Sequence, residues 1–312
     1  MLHSFGNGSD GYAPRSNLIF DSLGNLYGTT TISGGNRQGG SVFKLSPGQS
    51  GWTETILYTF PASIGGPDGD WPAGGVVMGR NGNLYGATAS GGEDGYGAVY
   101  ELARLKDGSY KESVIHSFGL FDGHLPLSGL TIDRHGTLYG TTWFGGDVSV
   151  CYYVGCGVVF RLKKNASGRW TENILHQMTG SDGFLPLGPV VFDSLGNLFA
   201  VAESGGPNNG FGSVFELTPT PSGPWKENVL HIFDYLSNTN DGASPYAGVI
   251  VSHGQLFGTT ASGGPNGEGT VFEITLPAPQ AHPLGQQQSR SVRCFIRHGA
   301  DREGRSADTP SV

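Results

Sequence analysis

Five aspartates stand in one frame, Asp-Gly-x-x-Pro, at Asp10, Asp68, Asp122, Asp182 and Asp241. Two chemistries suit a carboxylate there. Gathered near one axis, the five could supply the roughly six to eight oxygens that a Ca²⁺ ion takes. Taken singly, Asp before Gly is a turn former whose side chain accepts backbone N–H groups two residues on. Repetition favours the turn, because a packing role recurs in every unit whereas a binding site is asymmetric. His3, His116, His176 and His231 share a second position, with Tyr58 in the remaining copy. Metal ligands converge to about 2 Å from one ion. Positions spread over different units do not converge on each other, and a tyrosine in the same slot suits packing with a polar tip.

Departures from regularity carry more. Glu203 stands where sister segments carry Thr, Ala or Trp, and Glu93, Asp94, Asp147 and Glu268 occupy the loops that follow. A glycosidase needs two carboxylates about 5–9 Å apart across a sugar, and sequence spacing singles out no such pair, so no catalytic residue is assigned. Trp71, Trp143 and Phe144 are off-consensus aromatics expected on the same face as these carboxylates. Exposed rings there stack on sugars or fill a partner's pocket. With Glu203 as polar partner they form the candidate ligand-binding set. Cys151 and Cys156 enclose Tyr152-Tyr153-Val154-Gly155. They suit a local disulfide across a long loop, which fits an oxidising compartment. The alternative is two free thiols, since two cysteines without further ligands make a poor zinc site.

These residues hang on a repeat. Gly24-Asn25-Leu26-Tyr27-Gly28-Thr29-Thr30 returns four times, and its aromatic falls at 27, 85, 139, 199 and 257. A period near 58 residues decides the architecture before any local reading does. Each unit has four strand-like segments. A short apolar run follows the proline, as in Gly75-Val76-Val77-Met78, and a Gly/Asn turn leads to the Leu-Tyr-Gly-Thr-Thr strand. A glycine-rich loop leads to a third strand, as in Val158-Val159-Phe160-Arg161-Leu162. The fourth, as in Trp52 to Phe60, alternates its apolar residues with period two. Four antiparallel strands per unit, five times over, predict an all-β fold: one five-bladed β-propeller over residues 1–275. Met1-Leu2-His3-Ser4-Phe5 matches the end of a fourth strand, while the fifth unit stops after its third. The N-terminal strand is therefore expected to close the last blade and remove two sheet edges. From 276 to 312 the repeat is gone, and Pro, Gln and Arg enrichment reads as a disordered tail.

The combination Gly-Asn-Leu-Tyr-Gly-Thr-Thr, Ser-Gly-Gly, Gly-x-Val-Phe-x-Leu-Thr and Trp-x-Glu-x-x-Leu-His-Ser-Phe resembles the GloVer (Gloeo–Verruco) tandem repeat. That repeat occurs in bacterial proteins named for a choice of anchor at the C-terminus. The resemblance spans residues 1 to about 275. It implies a β-propeller-like exported protein, extracellular or at the cell surface, and brings no particular chemistry with it.

Composition narrows the partners. A formal net charge of −8 disfavours a nucleic-acid backbone. The chain holds no apolar run long enough to span a membrane, and Met1 to Phe5 has no leader-like basic or apolar segment. No phosphate loop is present, since Ser-Gly-Gly precedes a strand rather than a helix. No cofactor is expected, Ca²⁺ at the five aspartates being the one alternative. The expectation is a monomeric, non-catalytic binding or surface-interaction module for a glycan or surface protein. The alternative is a carbohydrate-active hydrolase or lyase using loop carboxylates.

Overall fold

The computed structural model describes residues 1–6, 10–32, 39–61, 66–207, 210–221, 224–236 and 240–276, and the backbone of a short strand at 294–295. Among these residues there is no helix. Five antiparallel sheets, each ordered along the chain, follow one another. The first comprises Ile19–Phe20, Leu26–Thr30, Ser41–Gly48 and Gly51–Thr59, and the second Val77–Met78, Leu84–Thr88, Ala98–Arg104 and Tyr110–Ser117. The third comprises Thr131–Ile132, Leu138–Thr142, Val158–Lys164 and Trp170–Gln177. The fourth comprises Phe184–Phe192, Leu198–Ser204, Ser213–Thr218 and Lys226–Ile232. In the fifth, Ile250–Ser252, Gln255–Thr260 and Thr270–Thr275 are followed by Cys294–Phe295. A sixth, two-stranded sheet joins Gly242–Ala243 to Ser262–Gly263.

The second strand is buried throughout in the first four sheets. In the second to fourth a sheet packs on both its faces, and in the first the segment around Phe5 covers Leu26 on one side. That is why Leu-Tyr-Gly-Thr-Thr does not alternate apolar with charged residues. Its glycine is steric: a Cβ on Gly140 would lie 2.7 Å from the Phe160 ring of the third strand. Between third and fourth strands the register slips at the same place each time, after Val42, Val99, Val159 and Val214. The slip is a β-bulge that skips Leu57, Ile115, Leu175 and Leu230. Leu175 and Leu230 turn into the core there.

Each sheet has a trailing face that packs on the leading face of the next. At the first junction Tyr27, Val42 and Phe60 meet Val76, Leu84, Tyr100 and Leu102. Equivalent residues meet at the next three junctions. A backbone stitch crosses each one. The residue before the Asp-Gly-x-x-Pro proline is left-handed in all five copies: Ala13, Trp71, Leu125, Leu185 and Ser244 have φ between 53° and 61°. A non-glycine residue pays strain there, and proline disfavours helical backbone before it. The conformation aims the N–H of Trp71 at Gly39 O (3.1 Å), Leu125 at Tyr96 O (3.0 Å), Leu185 at Cys156 O (3.2 Å) and Ser244 at Phe211 O (2.8 Å). Each acceptor belongs to the preceding sheet. The proline then covers a glycine of that sheet, as Pro126 does Gly97, where φ is +105° and a Cβ would meet Cδ at 2.6 Å.

Closure by the N-terminal strand is not what the structure shows. Residues 1–6 form no strand, and the place beside Thr270–Thr275 is taken by Cys294–Phe295, paired with Glu273 and Ile274. His3 and Phe5 lie instead against the first sheet, His3 facing Glu54 at 3.6 Å and Phe5 edge-on to Phe43 at 4.9 Å. Apart from Leu276 and that two-residue strand, the tail expected to be disordered lies outside the described residues.

Candidate binding face

The Asp-Gly-x-x-Pro aspartates do not converge. Asp10, Asp122, Asp182 and Asp241 each accept a backbone N–H from a residue before them, from Gly6 (3.1 Å), Gly119 (2.6 Å), Thr179 (2.8 Å) and Asp234 (2.9 Å). Each also meets the histidine of its own fourth-strand segment. His176 Nε2 is 2.8 Å from Asp182, His231 Nε2 is 3.1 Å from Asp241, and His3 and His116 are each 3.4 Å from Asp10 and Asp122. Asp68, which faces Tyr58 rather than a histidine, lies close enough to Glu112 to raise its pKa.

A glutamate from the next sheet completes the group: Glu54 lies 3.6 Å from His3, and Glu172 3.9 Å from His116. In these two triads the imidazole nitrogen and the carboxylate oxygens lie within 4.8 Å of one another. Such an N,O,O set has the donors of a divalent transition-metal site, and it equally suits an ion-pair clasp between sheets. Burial pushes Glu172 up to about 7, with His116 opposing and Asp122 adding to the rise. Burial, with Asp68 beside it, takes Glu112 to about 7 as well. Burial pushes on Asp182 in the same sense, but the hydrogen bonds from His176 and Thr179 outweigh it and hold that carboxyl below its ordinary range. The glutamates were legible as the fixed Glu two residues after Trp52, Tyr110, Trp170 and Trp225, yet sequence alone does not pair them with the preceding sheet.

The asymmetric residues gather elsewhere, on the loops that end the second strands. Trp143 and Glu203 occupy the same repeat position in the third and fourth sheets, where the other copies carry Thr31, Ala89 and Ala261. Around Trp143 runs a row of rings. Tyr96 meets His124 at 4.9 Å, His124 meets Phe144 at 5.8 Å, and Phe144 meets both Trp143 (5.4 Å) and Phe184 (5.9 Å). Tyr152 adds its ring to Phe184 at 6.5 Å. Three buried polar atoms here have no hydrogen-bond partner: Trp143 Nε1, His124 Nδ1 and one carboxylate oxygen of Glu203, Oε2. Glu203 accepts a bond from the Tyr246 hydroxyl, and that bond raises the tyrosine's pKa. Burial lowers that of His124, so it is neutral at pH 7. Trp71 is half exposed on the second sheet's strained loop, and no ring contact joins it to the row.

Cys151 and Cys156 are joined by a disulfide. Within the loop it closes, Cys151, Tyr152 and Tyr153 are all left-handed, with φ of 50°, 60° and 64°. A run of three such residues is costly, at about 1–2 kcal/mol each, and it turns both tyrosine rings outward, more than four-fifths exposed. Cys156 itself is buried in the core between the third and fourth sheets. Of the sequence candidates, Trp143, Phe144 and Glu203 thus share one face, with His124, Phe184 and Tyr246 added to them.

In structure the chain is similar to a candidate 6-phosphogluconolactonase from Bacteroides uniformis, at 12% identity and a TM-score of 0.53. The match covers 93% of this chain and 72% of that one. It is also similar to an ancestral GH74 enzyme, at 12% identity and a TM-score of 0.57, over 89% of this chain and 37% of that one. At these identities the likeness speaks for a propeller-like fold alone. No curated protein matches the sequence. The model of one repeat family matches twice, over residues 1–152 and 152–290. The chain therefore belongs to the Gloeobacter/Verrucomicrobia repeat family.

Proposed function

We propose that this chain is a non-catalytic binding module of an exported protein, and that its ligand is a glycan held on the Trp143 face. One observation carries the reading: Trp143 and Glu203 stand at one repeat position on adjacent sheets, and each buries a polar atom without a partner beside a row of rings. An indole N–H donates, a carboxylate oxygen accepts, and ring faces stack. Together these meet the hydroxyls and C–H faces of a sugar. A buried polar atom left unmade costs about 1–3 kcal/mol, so a ligand that satisfies it gains that amount back. The strained tyrosine pair behind the disulfide supports the same face, since strained, rigidly supported loops concentrate at ligand sites. The disulfide also supports export to an oxidising compartment.

Hydrolysis would require a second carboxylate about 5–9 Å from Glu203, whereas the group bonded to Glu203 is the Tyr246 hydroxyl. The test is affinity electrophoresis against a panel of soluble plant and bacterial polysaccharides, with product analysis in parallel. Retardation on at least one glycan, lost in Glu203→Gln and with no new reducing ends, is the expected result. Released oligosaccharides that disappear in Glu203→Gln would establish the hydrolase instead.

A further inference from the structure

The two ends of the sheet series leave open the two halves of a single interface. On the leading face, Val76, Leu130, Val190 and Val249 are buried against the preceding sheet, while their counterpart Leu18 in the first sheet is 49% exposed and Phe20 is 68% exposed. On the trailing face, Val42, Val99, Val159 and Val214 are fully buried, while their counterpart Val271 in the fifth sheet is 70% exposed and Ile250 is 65% exposed. The junction stitch is missing at the same place. Among the described residues, no N–H bond runs from Ala13 to the fifth sheet, although Trp71, Leu125, Leu185 and Ser244 all make theirs. The ends of one molecule therefore do not cover each other.

We propose that the trailing face of the fifth sheet docks on the leading face of the first sheet in a second copy of this chain. Shape and chemistry are specified four times over, because each interior junction packs these same positions. The first sheet already carries the fourth-strand share of such a junction. Phe5 covers Phe43, and His3 faces Glu54 as His116 faces Glu172. The fifth sheet offers the matching gap. Cys294–Phe295 pairs only with Glu273 and Ile274, so Thr270 to Phe272 keep a free edge on that side among the described residues. A contact between unlike faces is heterologous. It grows head to tail into a ring or a filament, rather than stopping at a two-fold dimer. This departs from the monomer expected from sequence, and it is independent of the glycan reading.

Light scattering with size exclusion, across a dilution series of the full chain, tests it. Wild type is expected to reach at least twice the monomer mass as concentration rises. Leu18→Glu and Val271→Glu should each remain monomeric, because each retains one working face. An equimolar mixture of the two should give a 1:1 heterodimer that grows no further, the signature of unlike faces. Phe20→Glu with Ile250→Glu repeats the test at other exposed positions, in case either first variant misfolds. A wild type that stays monomeric at every concentration, a single variant that still assembles, or a mixture that stays monomeric would each overturn the proposal.

Discussion

His176 Nε2 lies 2.8 Å from the Asp182 carboxylate, and that bond ties a fourth strand to the loop that opens the next sheet. His176→Ala removes it and leaves Asp182, which is nearly buried, with fewer partners. The expected loss is about 1–3 kcal/mol, read from urea midpoints at pH 7. The pH dependence has a definite sign. The folded pKa of Asp182 is depressed below 3.8, so its stabilisation is present above that value and is lost as pH falls through the folded pKa. The gap between wild type and His176→Ala should therefore narrow in strong acid.

Glu172 and Glu112 act in the opposite sense. Their folded values near 7 lie above the ordinary 4.5, so the folded state holds extra protons between those limits. Stability contributed by these groups is present below pH 4.5 and is lost as pH rises toward 7. Glu172→Gln should raise the thermal midpoint at pH 8 and change it little at pH 4. A midpoint that falls at pH 8 would show that Glu172 works chiefly as the charged partner of His116.

Phe5 sits on the first sheet, not the fifth, so deleting Met1 to Phe5 should uncover Phe43 and Leu45. Phe5→Ala is expected to cost about 1–2 kcal/mol, less than a fully buried phenylalanine would, because part of the residue stays exposed. Hydrogen exchange should then quicken in Ser41–Gly48 while Thr270–Thr275 is unchanged. Faster exchange confined to the fifth sheet would instead support ring closure by the N-terminus.

The five-residue step from Cys151 to Cys156 closes a short loop, for which chain entropy gives about 2 kcal/mol. Reduction should lower the thermal midpoint modestly and open Tyr152 and Tyr153 to proteolysis, while the core strands keep their protection. Cleavage spread evenly along the chain after reduction would mean that the bridge holds more than its own loop.

Much of this was legible because the sequence repeats. Leu-Tyr-Gly-Thr-Thr recurs around one buried strand, and its period located the five four-stranded sheets but not the two-stranded one at Gly242–Ala243 and Ser262–Gly263. The chemistry of Asp before Gly predicts bonds to N–H groups two residues on, whereas Asp10, Asp122, Asp182 and Asp241 each accept one from a residue that precedes them. What lay beyond reach were contacts between units. The period places His116 and Glu172 on equivalent strands, but only the sideways packing of sheets brings them to 3.9 Å. Closure was misjudged for a related reason: Met1 to Phe5 has the residues of a fourth strand, and it does occupy that role against the first sheet. Whether the fifth sheet comes round to meet it depends on the angle between sheets, which no local pattern encodes. Trp143, Phe144 and Glu203 stood out as exceptions to the repeat. His124 did not, because the first variable position of Asp-Gly-x-x-Pro differs in every copy.

The proposed sugar site stands or falls on the Trp143 indole. Isothermal titration with the best glycan from the polysaccharide panel, comparing wild type with Trp143→Ala, tests it most directly. Loss of one stacked, hydrogen-bonded indole should weaken binding by about 1–3 kcal/mol, which is roughly 5- to 150-fold in Kd. Trp225→Ala, just before the fourth strand Lys226–Ile232 and away from that row, should leave affinity unchanged. Equal affinity in wild type and Trp143→Ala would contradict the claim.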